Sequence, residues 1–217
     1  MTKTIVLWII AFLITAASAI YQRATGPTYP LKGEVSFDGK HINFELDRSH
    51  GGDDDHEVTL EIPEEVESGL LNYKRYKTDD EWHPIQMQRE DGKLAGYLPG
   101  QPPAGKLQYY LRLNDGENTV RIPEFTDVVI RFKGAVPDWV LIPHIIFMFG
   151  AMLISTRTGI QAVFTERNLK AYTWWSTILI FIGGLIFGPI VQKFAFNELW
   201  TGIPFGIDLT DNKTLIA

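Results

Sequence analysis

The chain contains no cysteine. Disulfides, thiolate nucleophiles and Cys-ligated metals are thereby excluded, so an exported domain would have to rest on its hydrophobic core alone. Catalytic patterns are also missing: there is no nucleophile elbow, no HExxH zinc pair and no glycine-rich phosphate loop. The basic stripe that neutralises nucleic-acid phosphates is absent too, because 20 Lys and Arg stand against 26 Asp and Glu. The expectation is a protein that is not an enzyme and has no nucleic-acid partner.

Charge is unevenly withheld. The mean hydropathy of −0.03 averages two unlike populations. Residues 5–21, 136–155 and 172–192 are nearly free of charge, and each approaches the ~20 residues with which a helix crosses hydrocarbon. Residues 22–136 carry 14 basic and 21 acidic side chains. Lipid leaves no water for unpaired backbone groups, so the three apolar runs read as membrane helices.

The chain then divides into a cytoplasmic N-terminus at 1–4, span one at 5–21, a polar domain at 22–135, span two at 136–155, a cytoplasmic loop at 156–171, span three at 172–192 and an extracytoplasmic interfacial tail at 193–217. Lys3, Arg157, Arg167 and Lys170 flank the spans on one side, and by the positive-inside rule that side is cytoplasmic. Trp139, Trp174, Trp175 and Trp200 lie near span ends, where an apolar ring with a polar N–H is most comfortable. The expected location is a bacterial inner membrane, crossed several times, with the acidic domain outside. Span one also fits a signal peptide, through Lys3, its apolar core and Ala17-Ser18-Ala19. Anchor or signal, it exports the acidic domain.

Within residues 22–135, apolar and polar residues alternate between turn residues, as in half-buried antiparallel strands. Ile42, Phe44 and Leu46 form one inward row, and Val58, Leu60 and Ile62 another. Leu94, Tyr97 and Leu98 come after a turn at Asp91-Gly92. Leu107, Tyr109, Leu111 and Leu113 make the clearest strand, closed at Asn114-Asp115-Gly116 and paired with Val120 and Ile122. Short strands without an amphipathic helix predict an all-β sandwich beside three helical spans. The stretches Trp82-His83-Pro84-Ile85-Gln86-Met87, Tyr97-Leu98-Pro99-Gly100-Gln101-Pro102-Pro103-Ala104-Gly105 and Tyr109-Tyr110-Leu111-Arg112-Leu113-Asn114-Asp115 resemble the later strands of fibronectin type III and immunoglobulin-like modules of bacterial exported proteins. That resemblance implies an immunoglobulin-like ectodomain with an adhesion or spacing role, and implies no catalysis.

Three constellations are candidate sites. The run from Asp47 to Glu57 gathers hard oxygen ligands and two imidazoles, His50 and His56, around Gly51-Gly52; Asp53, Asp54, Asp55, His56 and Glu57 are its candidate ligands for a metal such as calcium, although the spacing is no EF-hand and hairpin loops are often Asp- and Gly-rich for conformational reasons. His144 lies well inside span two, with Met148 and Met152 along the same helical face. An imidazole with two thioethers can ligate copper or haem; the bland alternative is a neutral His144 hydrogen-bonded across the bundle, to a carbonyl exposed at Pro143. Gly150, Ala151 and Ser155 in span two and Gly183, Gly184 and Gly188 in span three form small faces suited to helix packing. His83, with Asp79, Asp80 and Glu81 nearby, reads as a surface cluster. Residues 197–217, rich in glycine, proline and aromatics, read as a loop on the membrane surface.

The leading functional expectation is a non-enzymatic subunit of a membrane complex whose partners are lipid and other membrane proteins. A haem- or copper-handling protein built on His144, Met148 and Met152 is one alternative, and a transport or channel component another.

Overall fold

A computed structural model describes residues 2–37, 39–63, 66, 68–114, 118–164 and 169–216. The chain divides into a helical unit, Met1–Thr25 with Val136–Ala217, and a β-rich unit, Gly26–Ala135.

The helical unit contains α1 (Thr2–Thr25), α2 (Asp138–Phe164), α3 (Leu169–Ile180), a π-helical segment (Phe181–Phe187), α4 (Gly188–Phe196) and α5 (Leu209–Ile216). Three helical stretches, Lys3–Thr25, Asp138–Phe164 and Leu169–Phe196, are long and apolar enough to cross a membrane. They overrun the charge-free limits read from the sequence, because a helix continues wherever its backbone can bond, whatever the side-chain charge. Arg157, expected in a loop, therefore lies inside α2. Arg167 lies outside the described residues.

Pro189 explains the π-helical segment. It has no N–H to offer the preceding turn, and the ladder widens so that the Gly188 N–H reaches the Gly183 carbonyl, five residues back. The C-terminal stretch differs from expectation, since α5 is a regular helix. Asp208 caps it: Oδ1 accepts from the N–H groups of Thr210 at 2.8 Å and Asp211 at 3.2 Å. Asp211 in turn accepts from the Thr201 N–H at 2.7 Å and from Gln192 Nε2 at 3.1 Å, tying α5 back to α4.

The β-rich unit has eleven strands among the described residues: β1 (Leu31–Phe37), β2 (Lys40–Leu46), β3 (Ser49–Gly51), β4 (His56–Glu61), β5 (Ser68–Arg75), β6 (His83–Gln86), β7 (Gln88–Glu90), β8 (Lys93–Leu98), β9 (Lys106–Asn114), β10 (Thr119–Ile122) and β11 (Val128–Lys133). They form three sheets: β1-β2, β4-β8-β7, and β3-β11-β9-β5-β6 with β10 also on β9. β10 and β11 share one edge of β9, the first opposite residues 111–114 and the second opposite 106–109. Of these pairings only β3 with β11 is parallel.

Alternation places the core. Leu107, Tyr109, Leu111 and Leu113 are fully buried on one face of β9, and Val58, Leu60, Leu94 and Leu98 come in from the β4-β8-β7 sheet to join the same hydrophobic cluster. The β1-β2 hairpin adds Phe37, Ile42 and Leu46, with Phe44 only partly buried. Where the two larger sheets face each other they come close: a side chain at Gly69 would meet Leu94 Cδ1 at 2.6 Å, and one at Gly96 would meet Leu71 at 3.2 Å. Asp91 and Gly92 take positive φ values of 49° and 80° in the β7–β8 turn, the backbone that a two-residue hairpin of this kind requires. Tyr97, expected inward, points out and is 47% exposed, because it sits at odd parity to Leu94 and Leu98. The turn expected at 114–116 lies partly outside the described residues.

Candidate functional site

In the helical unit, His144, Met148 and Met152 do share one place. All three line an open cavity of about 530 Å³, together with Gln22 of α1, Thr156 of α2 and Lys213 of α5. His144 Nδ1 lies 2.9 Å from the Gly183 carbonyl oxygen. A carbonyl only accepts, so Nδ1 carries a hydrogen and donates it. The acceptor is not a carbonyl freed at Pro143, as the sequence suggested; it belongs to the π-helical segment opened by Pro189.

The small residues divide by position. A side chain at Gly183 would strike Phe147 Cβ at 2.9 Å and the Met148 backbone nitrogen at 3.1 Å, so α2 and the π-helical segment approach through that gap. Gly150 faces Leu179, Ala151 is buried, and Ser176 Oγ donates to the Ala151 carbonyl at 3.4 Å. Gly184 faces Thr214 of α5 instead, with a side chain there meeting Thr214 Cγ2 at 2.4 Å. Gly188 lies beside His144, and Ser155 is exposed and lines the cavity.

Arg157 is a buried charge where the sequence pattern suggested a loop. It is 2% exposed, and its guanidinium carbon lies 5.5 Å from the Trp8 ring of α1 and 5.6 Å from the Tyr172 ring of α3. The ring quadrupoles partly replace water around the cation, while Nε and Nη1 have no hydrogen-bond partner among the described residues. The missed signal was the pair Arg157 and Gln161, four residues apart on one helical face; both are buried.

In the β-rich unit, the outward face of the six-stranded sheet carries a packed aromatic and cationic cluster. Trp82 meets Tyr110 edge-on, with ring centroids 4.8 Å apart. Lys74 Nζ lies 5.3 Å over Trp82, and Arg121 lies 4.2 Å over Tyr110. Arg121 is fixed from behind, since it donates to the carbonyls of Pro123 and Thr126 and pairs with Asp127. Asn72, paired in register with Tyr110, is buried. Asp80 is held by Arg75 at 2.6 and 2.9 Å, and this bidentate guanidinium contact brings its carboxyl down to about 2. His83 sits beside the Tyr73 ring at 5.5 Å, apart from that ion pair.

The acidic run 53–57 is spent on local contacts. Asp55 accepts from the Gly100 N–H at 2.8 Å, Glu57 from the Tyr97 hydroxyl at 3.4 Å, and Asp54 from His50 Nε2 at 3.1 Å. Gly100 packs against the Asp53 carbonyl so closely that a side chain there would come within 2.0 Å of it. Among the described residues no three His, Asp or Glu side chains gather to hold a metal ion, so residues 53–57 offer no such cluster for the calcium expected there. His56 is 7% exposed, and burial lowers its pKa from the ordinary imidazole value, partly opposed by Asp47. His50, the other imidazole of the same run, lies against it, with the two Nδ1 atoms 3.1 Å apart.

No protein-family model matches the chain, and no curated protein matches it in sequence, so its function has to be argued from these sites.

Proposed function

We propose that the chain is a non-enzymatic subunit of a bacterial inner-membrane complex, in which an extracytoplasmic immunoglobulin-like sandwich docks a partner and the helices hold a partner subunit in lipid. The observation that carries the reading is the cluster of Trp82, Tyr110, Lys74 and Arg121 on the outward face of one sheet. Trp, Tyr and Arg dominate the energetics of protein interfaces, and here the rings and cations are packed and tethered in advance, which reduces the entropy lost on binding. The sandwich reading is supported by strand order. A sheet with β5, β9 and β11 adjacent opposes one with β4, β8 and β7, as the C-F-G and B-E-D strands do in immunoglobulin-like folds. The extracytoplasmic side is supported by Lys3 and Lys170 beside the apolar helices.

Extraction in mild detergent followed by native electrophoresis tests the proposal. The chain is expected to run in a species larger than itself, and Trp82→Ala with Tyr110→Ala to release it as a monomer while circular dichroism is unchanged. A wild-type chain that migrates alone overturns the reading.

A second reading, haem or copper handling in the helical unit, is favoured by one observation: His144, Met148 and Met152 line the same cavity. The residues offer one imidazole and two thioethers, a set suited to Cu(I) or to one axial side of a haem. A Soret band or stoichiometric copper in the purified chain, lost in His144→Ala, is the result it requires.

A further inference from the structure

His50 and His56 are positioned by strands. β3 holds His50 opposite Phe132 of β11, and β4 holds His56 opposite Leu98 of β8. The ring centroids are 4.9 Å apart with planes inclined at 60°, and the Phe132 ring meets His50 edge-on at 5.3 Å. Each imidazole directs its other nitrogen at a carboxylate: His50 Nε2 lies 3.1 Å from Asp54 Oδ1, and His56 Nε2 lies 3.7 Å from Asp47 Oδ2.

These contacts set the tautomers. An ionised carboxylate only accepts, so Asp54 fixes the hydrogen of His50 on Nε2, and Asp47 favours the same for His56. The two Nδ1 atoms lie 3.1 Å apart, a hydrogen-bond separation that a hydrogen on either ring bridges. A divalent cation that displaces that hydrogen takes a lone pair from each ring. A carboxylate behind the far nitrogen of each ring is also how metal-ligating histidines are usually oriented.

We propose that His50 and His56 form a two-imidazole site for a divalent late first-row metal ion, Cu2+ or Zn2+, bound through the two Nδ1 atoms with water completing its coordination. The donor type excludes calcium and magnesium, which take oxygen, and imidazole nitrogen favours copper and zinc. Two bonds of about 2.0–2.1 Å closing on this nitrogen separation meet at roughly 100°, within the range of four-coordinate geometries.

The test uses the full chain in detergent, stripped with EDTA and titrated with Cu2+ alone, then with Zn2+ alone. One equivalent of Cu2+ is expected, with an electron paramagnetic resonance spectrum showing coupling to two imidazole nitrogens. His50→Ala weakens binding at least tenfold and removes one nitrogen from the spectrum. Asp54→Asn weakens it about 10- to 100-fold through the ring it orients. His41→Ala and His83→Ala, which alter exposed imidazoles elsewhere in the unit, leave it unchanged. His56 is buried and its replacement can disturb β4, so the wild-type chain provides a second measurement: Zn2+ shifts the side-chain resonances of His50 and His56 and spares those of His41 and His83. Binding of equal affinity in His50→Ala, loss of binding only in His144→Ala, or no saturable binding of either ion overturns the proposal.

Discussion

Tyr109 carries a hydroxyl into the apolar interior of β9, where the residue is fully buried. The O–H donates to the Asp47 carbonyl at 2.8 Å, and burial raises the phenol above its ordinary range. Removing one member of a buried hydrogen bond leaves the other desolvated, at a cost of about 1–3 kcal/mol. Tyr109→Phe is therefore expected to destabilise the β-rich unit by about 1–2 kcal/mol, measured as faster hydrogen exchange along β9 in urea. Asp80 offers a pH test. Its carboxyl lies at about 2, below the ordinary 3.8, because Arg75 holds it, and Arg75 is raised in turn. A depressed carboxylate contributes stability that is present above 3.8 and lost as pH falls through about 2. The contribution is small because the Arg75 side chain is 66% exposed and screened by water. Carboxyl NMR should place the Asp80 midpoint near 2, and Arg75→Ala should return it toward 3.8; an unmoved midpoint would refute the pairing.

Helix contacts sort the glycines more finely than the sequence pattern did. A side chain at Gly183 collides with the backbone of α2, whereas at Gly159 nothing lies within 4 Å. Gly183→Leu is expected to separate the π-helical segment from α2 and to break the His144 hydrogen bond, while Gly159→Leu leaves both intact. Cysteines replacing Ala151 and Ser176 read out the difference. Those positions touch in the structure, so the pair should cross-link on oxidation beside Gly159→Leu and fail to beside Gly183→Leu. Legible in the sequence at this scale was whatever a local pattern specifies. The β9 alternation and the Asp91-Gly92 turn could be read because parity and backbone φ are set within a few residues. The pairing of β3 with β11 and the burial of Arg157 depend on residues distant in sequence, which no local period encodes. α5 had a local signal that was outweighed: Asp208 and Asp211 stand three apart, as at a capped helix start, but the glycine and proline just before them suggested a loop.

At the scale of the whole molecule, the proposed orientation can be tested through the missing cysteine. Because the chain has none, any cysteine introduced is its only thiol and reports its own position. Asp54 is exposed in the β-rich unit, and its neighbours hold the loop without it. Lys170 is exposed at the start of α3, where an apolar stretch long enough to cross a membrane begins. If three helical stretches cross lipid and Lys3 and Lys170 remain with the cytoplasm, an odd number of crossings separates position 54 from position 3 and an even number separates position 170 from it. The two sites then lie on opposite sides. In intact cells a membrane-impermeant maleimide should label Asp54→Cys and spare Lys170→Cys, and after permeabilisation both should react. The reverse pattern would place the acidic unit in the cytoplasm, where the proposed extracytoplasmic docking could not occur. Equal labelling in intact cells would mean that the number of crossings between the two positions is even, and α2 would then have to lie outside the bilayer core.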